Sequence, residues 1–160
     1  MNKAVKEMAN SLNGDFYLLH QTGKKNYDDF ISDLYQSPYL RIFPYIDNID
    51  LFYAVSDLVI ASSGAMSLAE ISSVEKPSIL IPKAYTTENH QQHNAQTYVD
   101  NGASMMILEK DLNGKLLYDN IISIIKNNDR LIEMGEASSK LSNDGASDTI
   151  FELIVDLTAR

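Results

Sequence analysis

Between Ser56 and Asn94 the chain goes twice through one pattern. An apolar segment, Asp57-Leu58-Val59-Ile60-Ala61, breaks at Ser62-Ser63-Gly64-Ala65 into a helical stretch carrying Glu70. A second apolar segment then ends at Pro82 and gives way to Glu88-Asn89-His90-Gln91-Gln92-His93-Asn94. Strand, tight break, helix, strand is the unit of a parallel sheet, because parallel strands need a long crossover and that crossover is usually a helix. It also brings the backbone N–H groups of a helix N-terminus to the carboxyl edge of the sheet, where phosphate-bearing ligands bind in such folds.

The rhythm extends in both directions. Strands are predicted over 16–20, 40–43, 58–61, 78–81 and 104–108, alternating with helices near 2–12, 27–35, 48–55, 65–74 and 90–101. The expected fold is α/β: a mainly parallel, Rossmann-like sheet with helices on both faces. Asn48 reads as an N-cap, Gly102 follows the end of a helix, and Pro77 and Pro82 interrupt helix continuation. Beyond Asp111, Leu116, Leu117, Ile121, Ile124 and Ile125 keep helical spacing. Two further helices are predicted over 131–141 and 149–157, and these last helices should wrap the domain.

Composition excludes several classes. The 160 residues suit one domain with a real core. With no cysteine, and three histidines lacking ligand-like spacing, neither a disulfide framework nor a zinc site is expected, and no cofactor is implied. A formal net charge of −9 argues against nucleic acid as a partner, since phosphate backbones select basic patches. No apolar run approaches the roughly 20 residues needed to span a bilayer, and the first residues lack the apolar core of a signal peptide. The reading is a soluble piece compatible with the cytoplasm.

Three polar clusters fall at strand ends. In Ser62 to Glu70 the small residues let backbone approach a ligand, the helix terminus favours negative charge, and Glu70 faces the same end, where a carboxylate suits paired hydroxyls. The plain alternative is a turn glycine and a glutamate on a solvated helix face. Tyr45-Ile46-Asp47-Asn48 reads either as a strand end with an N-cap or as a slot for a flat base built from an aromatic, an isoleucine and exposed backbone amides. The run from Thr86 to Asn94 offers amide donors and acceptors suited to sugar hydroxyls and an acetamido group, or else is a polar loop entering a solvated helix. His20 reads as a neutral imidazole satisfied by backbone. No Ser/His/Asp order, paired-carboxylate spacing or P-loop emerges, so the pattern is that of a binder.

These residues carry a resemblance. His20-Gln21-Thr22-Gly23, Pro44-Tyr45-Ile46-Asp47, Ser63-Gly64-Ala65, Ala69-Glu70-Ile71, Lys76-Pro77 through Pro82, and Glu88-Asn89-His90-Gln91 with Asn94-Ala95 together resemble the C-terminal half of the MurG family. Its members are N-acetylglucosaminyltransferases of peptidoglycan synthesis with two Rossmann-like domains in a GT-B arrangement. The resemblance implies that the chain holds the donor, UDP-N-acetylglucosamine. Ile46 would meet the uracil through its backbone. Ala65, Met66 and Ser67, after the Ser63-Gly64 turn, would line phosphates and sugar. Glu70 would take the ribose hydroxyls and Gln91 the sugar hydroxyls, with His90 and Asn94 nearby.

The same resemblance sets limits. Ser62 stands where many relatives have arginine. The family's N-terminal domain, which carries the lipid-linked acceptor site, the proposed general base and the membrane-facing patch, lies outside this sequence; no catalytic residue is assigned here. Through that domain the full-length protein would be peripheral on the cytoplasmic face of the cell membrane. Alternatives are another UDP-sugar enzyme of similar architecture, or a half that works docked on a membrane-bound partner. A strand and a glycine-rich loop are also expected ahead of the first helix. In the strand order 3-2-1-4-5-6 their absence leaves a central gap, closed either by apposition of 16–20 with 58–61 or by self-association.

Overall fold

The computed structural model describes residues 1–84, 89–142 and 145–158. Its most buried strand is β4 (Ser78–Leu80), with Ile79 and Leu80 fully inaccessible. The flanking strands β3 (Val59–Ala61) and β5 (Ser104–Met106) both run parallel to it, with Ile60 opposite Ile79 and Ile79 opposite Met105. A second parallel pair joins β1 (Leu18–Gln21) to β2 (Leu40–Phe43), Leu18 opposite Leu40.

Helices cover both faces, and β4 shows why. Its side chains alternate across the sheet, as the pleat requires. Ile79 and the following Ile81 enter one cluster with Val5 and Met8 of α1 (Asn2–Met8) and Leu117, Ile121 and Ile124 of α6 (Gly114–Ile125). Leu80 enters another, with Leu68 and Ile71 of α4 (Ala65–Ser73) and Ala95 and Tyr98 of α5 (His90–Asp100). The i, i+4, i+7 spacing of Leu117, Ile121 and Ile124 places all three on one stripe of α6. Helices α2 (Tyr27–Ser32) and α3 (Ile49–Val55) follow β1 and β2, while α7 (Asn128–Ser139) and α8 (Ala146–Thr158) close the chain.

Helix α1 lies close on α6. A Cβ on Gly114 would stand 2.6 Å from Glu7 Cβ, and the Gly114 N–H donates to Glu7 Oε2 at 2.9 Å. Only glycine admits this approach.

Several expectations need correction. The first strand starts at Leu18, not 16, because its ladder opens where the Leu18 N–H reaches the Tyr39 carbonyl (2.8 Å). Helix α2 ends at Ser32. Asn48 precedes α3 but its side chain caps nothing; Asn113 and Asn127 cap α6 and α7 by accepting from Leu116 and Arg130. Helix α8 does not wrap the domain: Phe151 and Leu157 are 67% and 73% exposed, and neither core cluster includes any of its described residues. Strands β1 and β3 do not meet. Among the described residues β1 pairs only with β2 and β3 only with β4. A cavity of about 680 Å³ lies between them, with Val5 of α1 and Ile121 and Ile125 of α6 in its lining.

His20 is buried and neutral, as expected, but its partner is a side chain: Nε2–H donates to Asn2 Oδ1 at 3.0 Å. Burial, with the nearby α-amino cation adding to it, holds the imidazole down to about 4. The unfolded chain, with an imidazole near 6.5, binds the proton first as pH falls. His20 therefore contributes a stability that is complete above pH 6.5 and lost on the way down to pH 4, on the order of 3 kcal/mol in all. Urea titrations between pH 7 and 4 should show this slope in the native chain, and His20→Gln should flatten it.

Candidate functional site

The Ser-Gly-Ala break begins just past the end of β3. Ser63 is fully buried; its hydroxyl donates to the Gln91 carbonyl at 2.6 Å, and its own carbonyl accepts from Asn94 Nδ2 at 3.2 Å. Gln91 is fixed in turn, its Oε1 accepting from the Lys83 N–H at 3.0 Å. Three of the predicted residues thus meet, and they tie the start of α5 to the start of α4. In this state the Ser63 and Asn94 side chains are spent on the frame.

Gly64 is different. Its φ of −68° and ψ of 147° suit any residue, and a Cβ built there meets nothing within 4 Å among the described residues. Neither backbone strain nor packing accounts for the glycine, which leaves the surface before α4 bare. Ala65 and Met66 are exposed beside it and Ser67 is half-buried. One to two turns on, exposed Glu70 accepts through Oε2 from the Tyr53 hydroxyl at 2.9 Å. Burial first, then the Glu70 carboxylate, push the Tyr53 phenol up to about 12, so it remains a donor at any ordinary pH. A carboxylate offers about four acceptor positions, and Tyr53 uses one.

Ile46 lies at the end of β2 on the other sheet. Its N–H donates to Gln21 Oε1 at 2.8 Å, so the backbone group expected to read a base already holds a side-chain amide. Next to it Tyr45 is exposed, with Lys24 Nζ 5.0 Å from its ring centre. Edge-to-face packing of Phe43 on Phe52, centroids 5.1 Å apart, links this strand end to α3, and α3 reaches Glu70 through Tyr53. His90 is exposed at the start of α5, after Asn89 in the left-handed region (φ 56°). Thr86, Thr87 and Glu88 of the polar run lie outside the described residues.

Sequence reasoning missed Tyr53 and the use of Gln21. Gln21 stood in a strand-end motif, so its position was visible; Tyr53 lies in an ordinary helix with no signal of its own. The assembled groups can hold an anion at a bare helix start and paired hydroxyls at a carboxylate, while the Ile46 amide is taken up by Gln21. They include no nucleophile poised against a base.

Parallel half-sheets flanked by helices, with this edge at their carboxyl ends, define a Rossmann-like domain, the architecture of each half of a GT-B glycosyltransferase. Solved structures agree on the fold: MurG of Acinetobacter baumannii superposes with a TM-score of 0.82 over 97% of this chain and 45% of its own, at 20% identity. The glycosyltransferase VinC, in a structure with dTDP, does so at 0.70 over 96% and 37%, at 15% identity. The model of the glycosyltransferase family 28 C-terminal domain matches residues 1–150, and the chain belongs to that family. A UDP-N-acetylglucosamine–N-acetylmuramyl-(pentapeptide) pyrophosphoryl-undecaprenol N-acetylglucosamine transferase of Finegoldia magna is 50% identical over 145 residues, 89% of this chain and 39% of the relative. Its namesake in Clostridioides difficile is 42% identical over 149 residues, 91% and 36%. The chain therefore spans well under half the length of these relatives.

The frame and the open surface should respond differently to mutation. Ser63→Ala should cost about 1 kcal/mol in urea unfolding by removing a buried donor. Gly64→Ala should leave the stability level or raise it by up to about 1 kcal/mol, because the native φ already suits alanine.

Proposed function

We propose that this chain is the donor-binding part of an inverting glycosyltransferase that moves N-acetylglucosamine from UDP-N-acetylglucosamine to undecaprenyl-pyrophosphoryl-N-acetylmuramyl-pentapeptide, in peptidoglycan synthesis. The observation that carries the reading is Gly64, a glycine required neither by its backbone angles nor by its described neighbours, at the bare start of a helix with a carboxylate one to two turns on. The diphosphate sits against Gly64 to Ser67, where backbone N–H groups and the helix dipole favour negative charge. Glu70 accepts from the ribose hydroxyls while Tyr53 holds it in place. The uracil meets the Ile46 backbone, and Gln91 with His90 and Asn94 borders the sugar.

In the transfer the bond from the anomeric carbon to the diphosphate oxygen breaks as an acceptor hydroxyl bonds to that carbon from the opposite face. The hydroxyl proton goes to a base, and the electron pair leaves with UDP. This chain's share is to fix the donor's orientation and to stabilise the departing diphosphate. Acceptor, base and peripheral membrane contact belong to the remainder of a protein of the relatives' length. No helix among the described residues is long and apolar enough to cross a membrane.

Calorimetric titration with UDP, UDP-N-acetylglucosamine and UDP-glucose tests the reading, and failure of all three to bind would overturn it. Glu70→Gln should weaken UDP by about 1–3 kcal/mol, the range for a hydrogen bond to a charged group. Gln21→Ala should act in the opposite sense. The base must displace the Gln21 amide from the Ile46 N–H, so removing that competitor should tighten UDP by about 1 kcal/mol.

A further inference from the structure

We infer, resting on the donor-site reading above, that Tyr53 is a positioning residue for the choice of nucleotide: by fixing the Glu70 carboxylate it makes the site select a ribose over a 2′-deoxyribose.

Glu70 by itself is a poor discriminator. It is exposed on α4, and among the described residues its carboxylate has one hydrogen bond, from the Tyr53 hydroxyl to Oε2 at 2.9 Å, and no ion pair. A glutamate is rich in rotamers, and holding such a side chain still is part of the cost of binding. A carboxylate that turns freely also follows whichever hydroxyls a ligand offers, which blurs the difference between two hydroxyls and one. Fixing the carboxylate changes both terms.

Tyr53 is the better anchored member of the pair. Its ring packs against the cluster that holds Leu68 and Ile71, and its neighbour Phe52 meets Phe43 at the end of β2. The rest of α3 is loosely covered: none of its residues is fully buried, and Leu51 and Val55 are 58% and 70% exposed. The direction of the bond is settled too. Raised to about 12 by burial and then by the Glu70 carboxylate, the phenol keeps its proton and donates.

Stability does not call for that hydroxyl. The ring packing would be served equally by phenylalanine, and an exposed carboxylate that loses the bond regains water in its place. Orientation does call for it. A carboxylate has about four acceptor positions, and the phenol takes one of them, on Oε2. Oε1 and the second position of Oε2 are left for two neighbouring hydroxyls. A nucleotide without its 2′-hydroxyl leaves one position unmet on a group that cannot swing to compensate.

The test is calorimetric titration of the 160-residue chain and of Tyr53→Phe with UDP and with 2′-deoxy-UDP. The native chain should prefer UDP by about tenfold or more, as one hydrogen bond to a charged group requires. Tyr53→Phe should weaken UDP by about three- to tenfold, since one more side chain must then be immobilised, and should lower the preference to about threefold or less. In a Glu70→Ala background Tyr53→Phe should change neither affinity. Should Tyr53→Phe fail to fold, Glu70→Asp, which draws the carboxylate back from the phenol without touching the core, should lower the preference in the same way. An unchanged preference in the folded variant, or an equal loss of affinity in the Glu70→Ala background, would overturn the role of Tyr53 and leave the donor site standing. Absence of UDP binding by the native chain would overturn the donor-site reading and this one with it.

Discussion

Everything in this domain is referred to β4. Burying Ile79, Leu80 and Ile81 contributes about 1.5–3 kcal/mol each, a sum comparable with the whole net stability of a small domain. Because successive side chains leave opposite faces, this one strand fastens two separate helix layers. Ile79 and Ile81 hold α1 and α6, and Leu80 holds α4 and α5. With α4 and α5 pinned to the same face, their first turns come close enough for the Ser63 hydroxyl to reach the Gln91 carbonyl. The geometry of the polar edge is thus a product of apolar packing one layer below it.

That edge divides its residues between two duties. Ser63 and Asn94 satisfy buried or half-buried partners, and their hydrogen bonds stiffen the frame. Gly64, Met66 and Glu70 remain accessible. Tyr53 belongs to both groups: its ring is partly buried while its hydroxyl restrains the exposed carboxylate. Orienting a carboxylate through a neutral donor preserves its charge, which a lysine partner would offset.

The sequence made the interior legible and the periphery less so. The runs at 58–61 and 78–81 read as strands because a parallel sheet covered on both faces needs unbroken apolar residues. Gly64 was legible as a small residue between a strand and a helix, a pattern that a plain turn glycine shares. Helix α8 deceived because its apolar stripe has the same period as that of α6, and periodicity says nothing about what covers a stripe. Asn48, Asn113 and Asn127 look alike in sequence. Asn113 and Asn127 adopt the extended backbone that lets the side chain reach back into the helix, whereas Asn48, with ψ of 68°, does not. The bond from Ile46 to Gln21 joins residues 25 positions apart and has no local signature.

The placement of the proposed site across two sheets has a thermodynamic corollary. Ile46 and Gln21 sit with β1 and β2, while Ser63, Gly64 and Glu70 sit with β3 and β4. A nucleotide bound as proposed, with its base on the first group and its phosphates on the second, would be a cross-link between the half-sheets. Its binding free energy and the rigidity of their junction are then linked quantities, each raised by whatever raises the other. Affinity in such a domain is governed as much by how firmly its halves are held in register as by the residues that touch the ligand.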